Sequence, residues 1–296
     1  MNSIDIESKK FLGQPKNFVS IFNALLFDGK QVLKSEYLKD ENSELVMNVS
    51  SKHVDIIKRY EDGAYLDLFV IESQSYVDPS MVARVMEYES VARMRYIRQN
   101  FKKHVPMHTR LPMILTVVLY VGESKWNAAK RLSELEIIHP GFEDMFNEFK
   151  LNLIELNTNH KYNTGEKATQ DFFDLLRMIY RKQILKEDLD REFNRDALYF
   201  AYVVTNHKEL LSIYQESEKG DVKVCRALDE MFEESTSKGI QMGIKQGIEQ
   251  GIERGVKNTQ IKIAIKMLVR NDQTLEEISE IVGLDLNALR ELKKSI

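Results

Sequence analysis

Apolar and polar positions follow two different periods along the first part of the chain. Residues 17–28 place apolar side chains at helical spacing, and Asp28-Gly29 predicts the end of that helix. Residues 53–60 and 65–73 are instead rich in β-branched and aromatic residues, which predicts two strands. The Asp62-Gly63 pair between them favours a hairpin with a two-residue turn.

A helix and two more strands are predicted after this hairpin. The helix is expected from about Ser80 to about Gln99, with Asp78 as its N-cap and Pro79 at its first position. Residues 112–121 form a continuous apolar run, which predicts a buried central strand. Residues 151–156 predict another short strand, so the pattern indicates an α/β domain over residues 1–165.

The remaining sequence predicts helix after helix. We divide it into a helical region over residues 166–235 and a tail over residues 236–296. The tail begins with a four-residue repeat in which an apolar residue follows each glycine: Gly239, Gly243, Gly247, Gly251 and Gly255. Since polar and charged residues fill the other positions, a membrane helix is excluded. A self-association helix, forming a homodimer or a higher oligomer, and a flexible connector both fit the repeat.

Two short helices are predicted at the end of the tail. Thr274 and Glu277 form a capping box, Gly283 ends the first helix and Asp285 caps the second. The pair resembles part of a helix-turn-helix. Because the negative charge of Asp285 would face phosphate, packing or protein contacts are favoured over base reading.

Composition limits the compartment and the partners. Forty-two basic and 46 acidic residues give a net charge of −4, so contact with nucleic acid requires a local basic face. A single cysteine, Cys225, excludes an internal disulfide and indicates a reducing compartment. No run is apolar and long enough to span a membrane, and the N-terminus lacks the apolar core of a secretion signal. We therefore expect a cytoplasmic protein that does not contact membranes.

Two acidic residues of the predicted hairpin are candidates for a metal site. With Asp62-Gly63 as the turn, Asp55, Glu72 and Gln74 point to one face of the sheet. Asp55 and Glu72 are then diagonal neighbours, about 7–8 Å apart at the backbone. Two carboxylates at this distance can share a hard divalent cation, which is the outline of a metal-dependent nuclease site. The alternative is a solvated face, and a one-residue register error would separate the pair.

The segments around these residues resemble a known family. IESQSYVDPSMVARVMEYES, LPMILTVVLYVGESKW and LNLIEL, in this order, resemble the Rpn recombination-promoting nucleases, also called putative transposases. The resemblance includes KGDVKVCRALDEM and the glycine repeat. These proteins belong to the PD-(D/E)xK nuclease superfamily. The resemblance therefore implies an α/β restriction-endonuclease-like core, a mixed sheet flanked by helices, followed by an all-helical C-terminal region.

The resemblance also implies roles for single residues. Asp55 and Glu72 match the acidic motif residues that bind magnesium, with manganese as the alternative ion. Gln74 stands where the superfamily has a lysine, so it donates hydrogen bonds without supplying charge. Asp28 or Glu44 would supply an extra acidic ligand, although Asp28 is equally well explained as a helix stop. The implied reaction is hydrolysis of a phosphodiester bond in DNA.

A basic stretch after the motif is the candidate DNA surface. Alternatively, these basic residues form a solvated helix face with cations near the helix C-terminus. The candidate residues are Arg84, Arg93, Arg95, Arg98, Lys102 and Lys103.

Three hypotheses follow for the function. The leading one is a magnesium-dependent DNA endonuclease linked to recombination or mobile DNA. The rival is a catalytically weak DNA-binding or assembly protein that retains the nuclease fold. A transposase that performs strand transfer is less favoured, because the chain lacks a clear third acidic residue far downstream.

Overall fold

The computed structural model describes residues 3–40, 56–62, 66–184, 188–217 and 220–296. The chain divides into two compact units, residues 1–230 and 231–296. The elements that begin in the first unit are α1 (Ser3–Leu12), α2 (Pro15–Phe27), β1 (Leu38–Asp40), β2 (Ile56–Glu61), β3 (Leu66–Gln74), α3 (Met81–Asn100), β4 (Ile114–Tyr120), β5 (Asn152–Glu155), α4 (Lys167–Arg181), β6 (Glu192–Phe193), α5 (Arg195–Thr205), α6 (Lys208–Glu216), β7 (Val222–Lys223) and α7 (Cys225–Arg270).

A five-stranded mixed sheet forms the centre of the first unit. Its strand order is β1-β2-β3-β4-β5. The pairs β1–β2 and β2–β3 are antiparallel, whereas β3–β4 and β4–β5 are parallel. The predicted α/β class and the buried interior position of β4 are therefore confirmed, since six of its seven residues are buried. The strand order does not test the predicted nuclease core, which stays a prediction.

Helices cover both faces of the sheet. On one face, the ring of Phe22 in α2 stacks on Phe69 of β3 at 4.8 Å between centroids. On the other face, Val70 of β3 packs in a buried cluster with Tyr88 and Ala92 of α3. Successive residues of a strand point to opposite faces. Leu68, with Val70, is packed on the α3 side.

The register of the β2–β3 hairpin differs from the predicted one. Ile57 pairs with Val70 and Glu61 pairs with Leu66, whereas a two-residue Asp62-Gly63 turn would pair Glu61 with Ala64. The two registers differ by two residues, and side chains alternate with period two. Because such a shift leaves every side chain on its original face, the apolar pattern does not distinguish the registers.

Helix α3 also begins later than predicted. Its N-cap is Ser80, and its first residue is Met81. Asp78 lies two residues before this N-cap, and its carboxylate accepts hydrogen bonds from the backbone and the hydroxyl of Ser80. The Asp-Pro-Ser sequence thus forms a turn that leads into the helix.

The helical region of the first unit contains a small sheet that the sequence did not predict. Strands β6 and β7 pair antiparallel over two residues each. They are too short to show a period-two pattern. Beside them, Arg191 pairs with the buried carboxylates of Asp171 and Asp174 on α4. These ion pairs attach the segment before β6 to α4.

The second unit holds most of α7 together with α8 (Leu275–Val282) and α9 (Leu286–Lys294). Ala264, Leu268, Ile278 and Leu289 form its core. The capping box of Thr274 and Glu277, the left-handed Gly283 and the Asp285 cap are all as predicted. Among the residues described, no helix has the length and apolarity needed to cross a membrane.

The glycine tetrads lie inside helix α7. A methyl group added at any of the five glycines would meet no atom within 4 Å. The apolar residues that follow them are 53–63% exposed; these are Ile240, Ile244, Ile248, Ile252 and Val256. Packing within the described chain therefore does not explain why glycine recurs at these positions.

Candidate functional site

Glu72 lies near the C-terminal end of β3, on the face that α3 covers. It is only 4% exposed. Val118 of β4 lies opposite it in the parallel register. A carboxylate buried in this way needs hydrogen bonds and a positive charge nearby.

Arg84 supplies that charge from the first turn of α3. Its Nη2 donates to Oε1 of Glu72 at 3.0 Å, and its Nη1 donates to Oδ2 of Asp78 at 2.6 Å. The hydroxyl of Tyr88 accepts hydrogen bonds from both Nε and Nη2 of Arg84. The guanidinium therefore joins the strand to the turn before α3.

The ionisation of the cluster follows from this geometry. Burial disfavours the charge of Arg84, but its hydrogen bonds to Asp78 and Tyr88 and the charge of Glu72 outweigh burial and raise the Arg84 pKa. Burial opposes the charge of Asp78 too, but hydrogen bonds from Ser80 and Arg84 hold its pKa below the ordinary value. Burial raises the pKa of Tyr88. Arg84 and Asp78 are thus held as an ion pair at neutral pH.

Gln74 lies two residues after Glu72 on the same strand and is also 4% exposed. Its Nε2 is buried and has no hydrogen-bond partner among the described residues. An amide donor placed beside a carboxylate, with bonding capacity left over, suits an anionic or water ligand.

The predicted metal ligands are only partly covered by the structure. Asp55 and Glu44 lie outside the described residues. Asp28 is exposed and takes a left-handed conformation at the end of α2, as a helix stop does. Within the described ranges, no group of three or more His, Cys, Asp or Glu residues could hold a metal ion.

Lys58 lies on the opposite face of the sheet from Glu72. Its ammonium lies over the ring of Phe18 and pairs with Asp40 at 2.5 Å. It therefore does not replace the lysine that Gln74 lacks, as the alternation along β2 predicts.

The predicted DNA-contacting residues fall into two groups. Arg84 and Arg93 are engaged within the fold, Arg93 with Glu89 at 2.8 Å. Arg95 is half-buried, while Arg98, Lys102 and Lys103 are exposed at and beyond the end of α3. Arg84 is the member of the set that contacts Glu72. Neither Asp78 nor Tyr88 was predicted as a partner of Arg84, although the four-residue spacing of Arg84 and Tyr88 on a helix is a usable signal.

The comparison with protein families decides the membership of the chain. The model of the family described as "Putative transposase, YhgA-like" matches residues 5–210, which is well over half of the sequence. The chain belongs to this family. It is the Rpn family, which the sequence analysis identified from the segments around Glu72. No curated protein matched the chain, and no solved structure matched it.

Membership in this family agrees with a role in mobile DNA. The matched region includes the five-stranded sheet, Glu72, Gln74 and Arg84. The glycine tetrads and the two short terminal helices lie beyond it.

The cluster around Arg84 predicts a pH-dependent loss of stability. Asp78→Asn should lower the free energy of unfolding by about 1.5–3 kcal/mol at pH 7, because charge-assisted hydrogen bonds are lost. The pKa of Asp78 in the folded protein lies below its ordinary value of 3.8. The stabilisation that ionised Asp78 contributes is therefore complete above that value. It is lost as the pH falls through the pKa of Asp78 in the folded protein. Urea unfolding followed by the fluorescence of Trp126 measures the difference.

The control for this experiment is Asp144→Asn, which changes an exposed carboxylate. The difference between the wild type and Asp78→Asn should be constant from pH 7 to about pH 5 and shrink below it. A difference that stays constant to pH 3 would contradict the assigned ion pair.

Proposed function

We propose that this chain is a magnesium-dependent DNA endonuclease that hydrolyses phosphodiester bonds and acts on recombining or mobile DNA. The observation that carries the proposal is the buried Glu72, with Gln74 beside it on the same face and Arg84 bound to it, in a member of the Rpn family. Manganese is the alternative ion.

Asp55 and Glu72 are the proposed metal ligands. Asp55 directly precedes Ile56 in the chain, and the partner of Ile56, Ile71, directly precedes Glu72. Glu72 and the amide oxygen of Gln74 fit a hard cation because both are oxygen donors near one end of β3. A bound magnesium ion would polarise the phosphate and lower the pKa of a bound water.

The chain's own residues would position the substrate. Arg84 carries a planar set of donors that can bind a phosphate oxygen, and Asp78 and Tyr88 fix its orientation. Gln74 would donate a hydrogen bond to the attacking water or to the phosphate. The proposed DNA surface continues to Arg93, Arg95, Arg98, Lys102 and Lys103.

A second candidate is a weakly catalytic protein that binds DNA or assembles on it. Two observations favour it: Gln74 supplies no positive charge, and Arg84 already compensates the charge of Glu72. Metal dependence separates the candidates, because only the endonuclease needs a divalent ion to act.

Cleavage of supercoiled plasmid DNA tests the proposal. The wild type should nick or linearise the plasmid in magnesium and not in EDTA. Asp55→Ala and Glu72→Gln should each lower the rate by about a hundredfold or more, because several kcal/mol of metal-derived stabilisation are lost. A Glu72→Gln protein that cuts at the wild-type rate would contradict the proposal. If none of the proteins cuts, the second candidate is favoured.

Self-association through the glycine tetrads is the second part of the proposal. The exposed apolar residues and the open space at the glycines on α7 suit close packing against another helix. A homodimer or a higher oligomer would bring two metal sites onto one duplex. Both strands could then be cut.

Removal of residues 236–296 should therefore lower the number of chains per particle, which light scattering measures. Gly247→Leu should lower it in the full chain, because added bulk keeps the helices apart. Lys245→Ala is the matched control on another side of α7 and should leave the mass unchanged. The idea fails if the truncated chain keeps the full oligomeric state.

A further inference from the structure

The loop between α3 and β4, residues 101–113, is a basic and apolar surface that the proposed metal site does not use. No Asp or Glu occurs between residues 90 and 122. The side chains of Lys102, Lys103 and Arg110 are exposed, and none of them forms an ion pair with a described acidic residue. Their charges are therefore available to a ligand without the loss of an ion pair, whereas Arg84 and Arg93 are already paired with carboxylates.

A tight turn forms the tip of this loop. The backbone N–H and the hydroxyl of Thr109 both donate to the carbonyl of Pro106, at 3.1 and 2.7 Å. His108, the third residue of the turn, has a φ of 69°, a conformation that residues other than glycine seldom adopt. Met107, the second residue, is 87% exposed. The turn thus presents one apolar side chain at its tip.

Both ends of the loop are attached to regular structure. The N–H of Phe101 bonds to the carbonyl of Ile97 at the end of α3. At the other end, the N–H of Met113 donates to the carboxylate of Asp67, and the carbonyl of Met113 accepts from Leu68. Both ends of the loop are therefore fixed before any ligand arrives, which lowers the entropic cost of binding.

We propose that this loop docks on duplex DNA, with Lys102, Lys103 and Arg110 on the phosphates and Met107 inserted at a base step of the minor groove. Minor-groove proteins combine cations with an apolar side chain of this kind, which partly unstacks a base step. The charge of the loop is complementary to the DNA backbone. An anionic membrane is less well matched, because the loop is not an amphipathic helix and its other large apolar side chains, Val105, Leu111 and Met113, are at most half exposed.

The choice of DNA as the polymer rests on the proposed function, but the loop is separate from Glu72. Met113 bonds to Leu68, which lies four residues before Glu72 on β3, or about 13 Å along the strand. The loop therefore extends the DNA footprint beyond the cutting site and can be tested without cleavage.

Binding of the full chain to a duplex of about 30 base pairs in EDTA tests the loop. The duplex carries 2-aminopurine, whose fluorescence rises when its base step is unstacked. Met107→Ala should weaken binding by about tenfold, equivalent to about 1.4 kcal/mol, and abolish the fluorescence rise without changing the salt dependence. The Lys102→Ala, Lys103→Ala double variant should reduce the slope of log K against log salt by about 2.

Two matched variants control for general surface effects. Met145→Ala removes a methionine that is 76% exposed beside Glu143 and Asp144, and Lys16→Ala removes an exposed lysine away from the loop. Neither should change binding. Unchanged affinity and salt slope in the loop variants would overturn the proposal. So would a dependence on Met107 that is seen in binding to vesicles of phosphatidylserine and phosphatidylcholine but not in binding to DNA.

The two proposals fail separately. A protein that cuts plasmid in magnesium but binds DNA without help from the loop removes this inference and leaves the endonuclease standing. Binding that depends on the loop, without any magnesium-dependent cutting, would support this inference and remove the endonuclease.

Discussion

A carboxylate buried between a sheet and a helix must be compensated by a nearby positive charge, and Arg84 does this for Glu72. The pair joins β3 to the first turn of α3, and Asp78 and Tyr88 complete the hydrogen bonds of the guanidinium. Removal of Arg84 would take its positive charge away from the buried carboxylate of Glu72. The attachment of the first turn of α3 to β3 and the electrostatics of the candidate site therefore depend on the same few contacts.

The arrangement also indicates how a metal ion would enter the proposed site. In the proposed site, a divalent cation bound to Glu72 would compete with Arg84 for the same carboxylate. Arg84 would keep Asp78 and Tyr88 as partners if Glu72 bound the cation. Arg84 would then have a donor available for a phosphate oxygen.

Much of the first unit follows from local sequence patterns. The apolar run that became β4, the strands on either side of residue 62 and the caps at Thr274 and Asp285 were predictable, because each depends on near neighbours. The hairpin register was not, since a two-residue shift preserves the faces. The two-residue strands β6 and β7 depend on tertiary contacts that leave no periodic signal.

The candidate site was predictable to a similar extent. Alternation along a strand placed Glu72 and Gln74 on one face, and family resemblance gave them roles that stay predictions. The ion pair with Arg84 could not be derived from spacing, because it depends on how α3 crosses β3. The same is true of the turn at Pro106–Thr109, which exposes Met107 only in the folded chain.

The most direct test of this account is the binding of Mn²⁺ to the full chain without DNA, measured by calorimetry and by electron paramagnetic resonance. The wild type should bind the ion at a site that Glu72→Gln loses, whereas Glu209→Gln, which changes an exposed carboxylate on α6, should bind as the wild type does. Equal Mn²⁺ affinity in the wild type and in Glu72→Gln would contradict the assignment of Glu72 as a metal ligand.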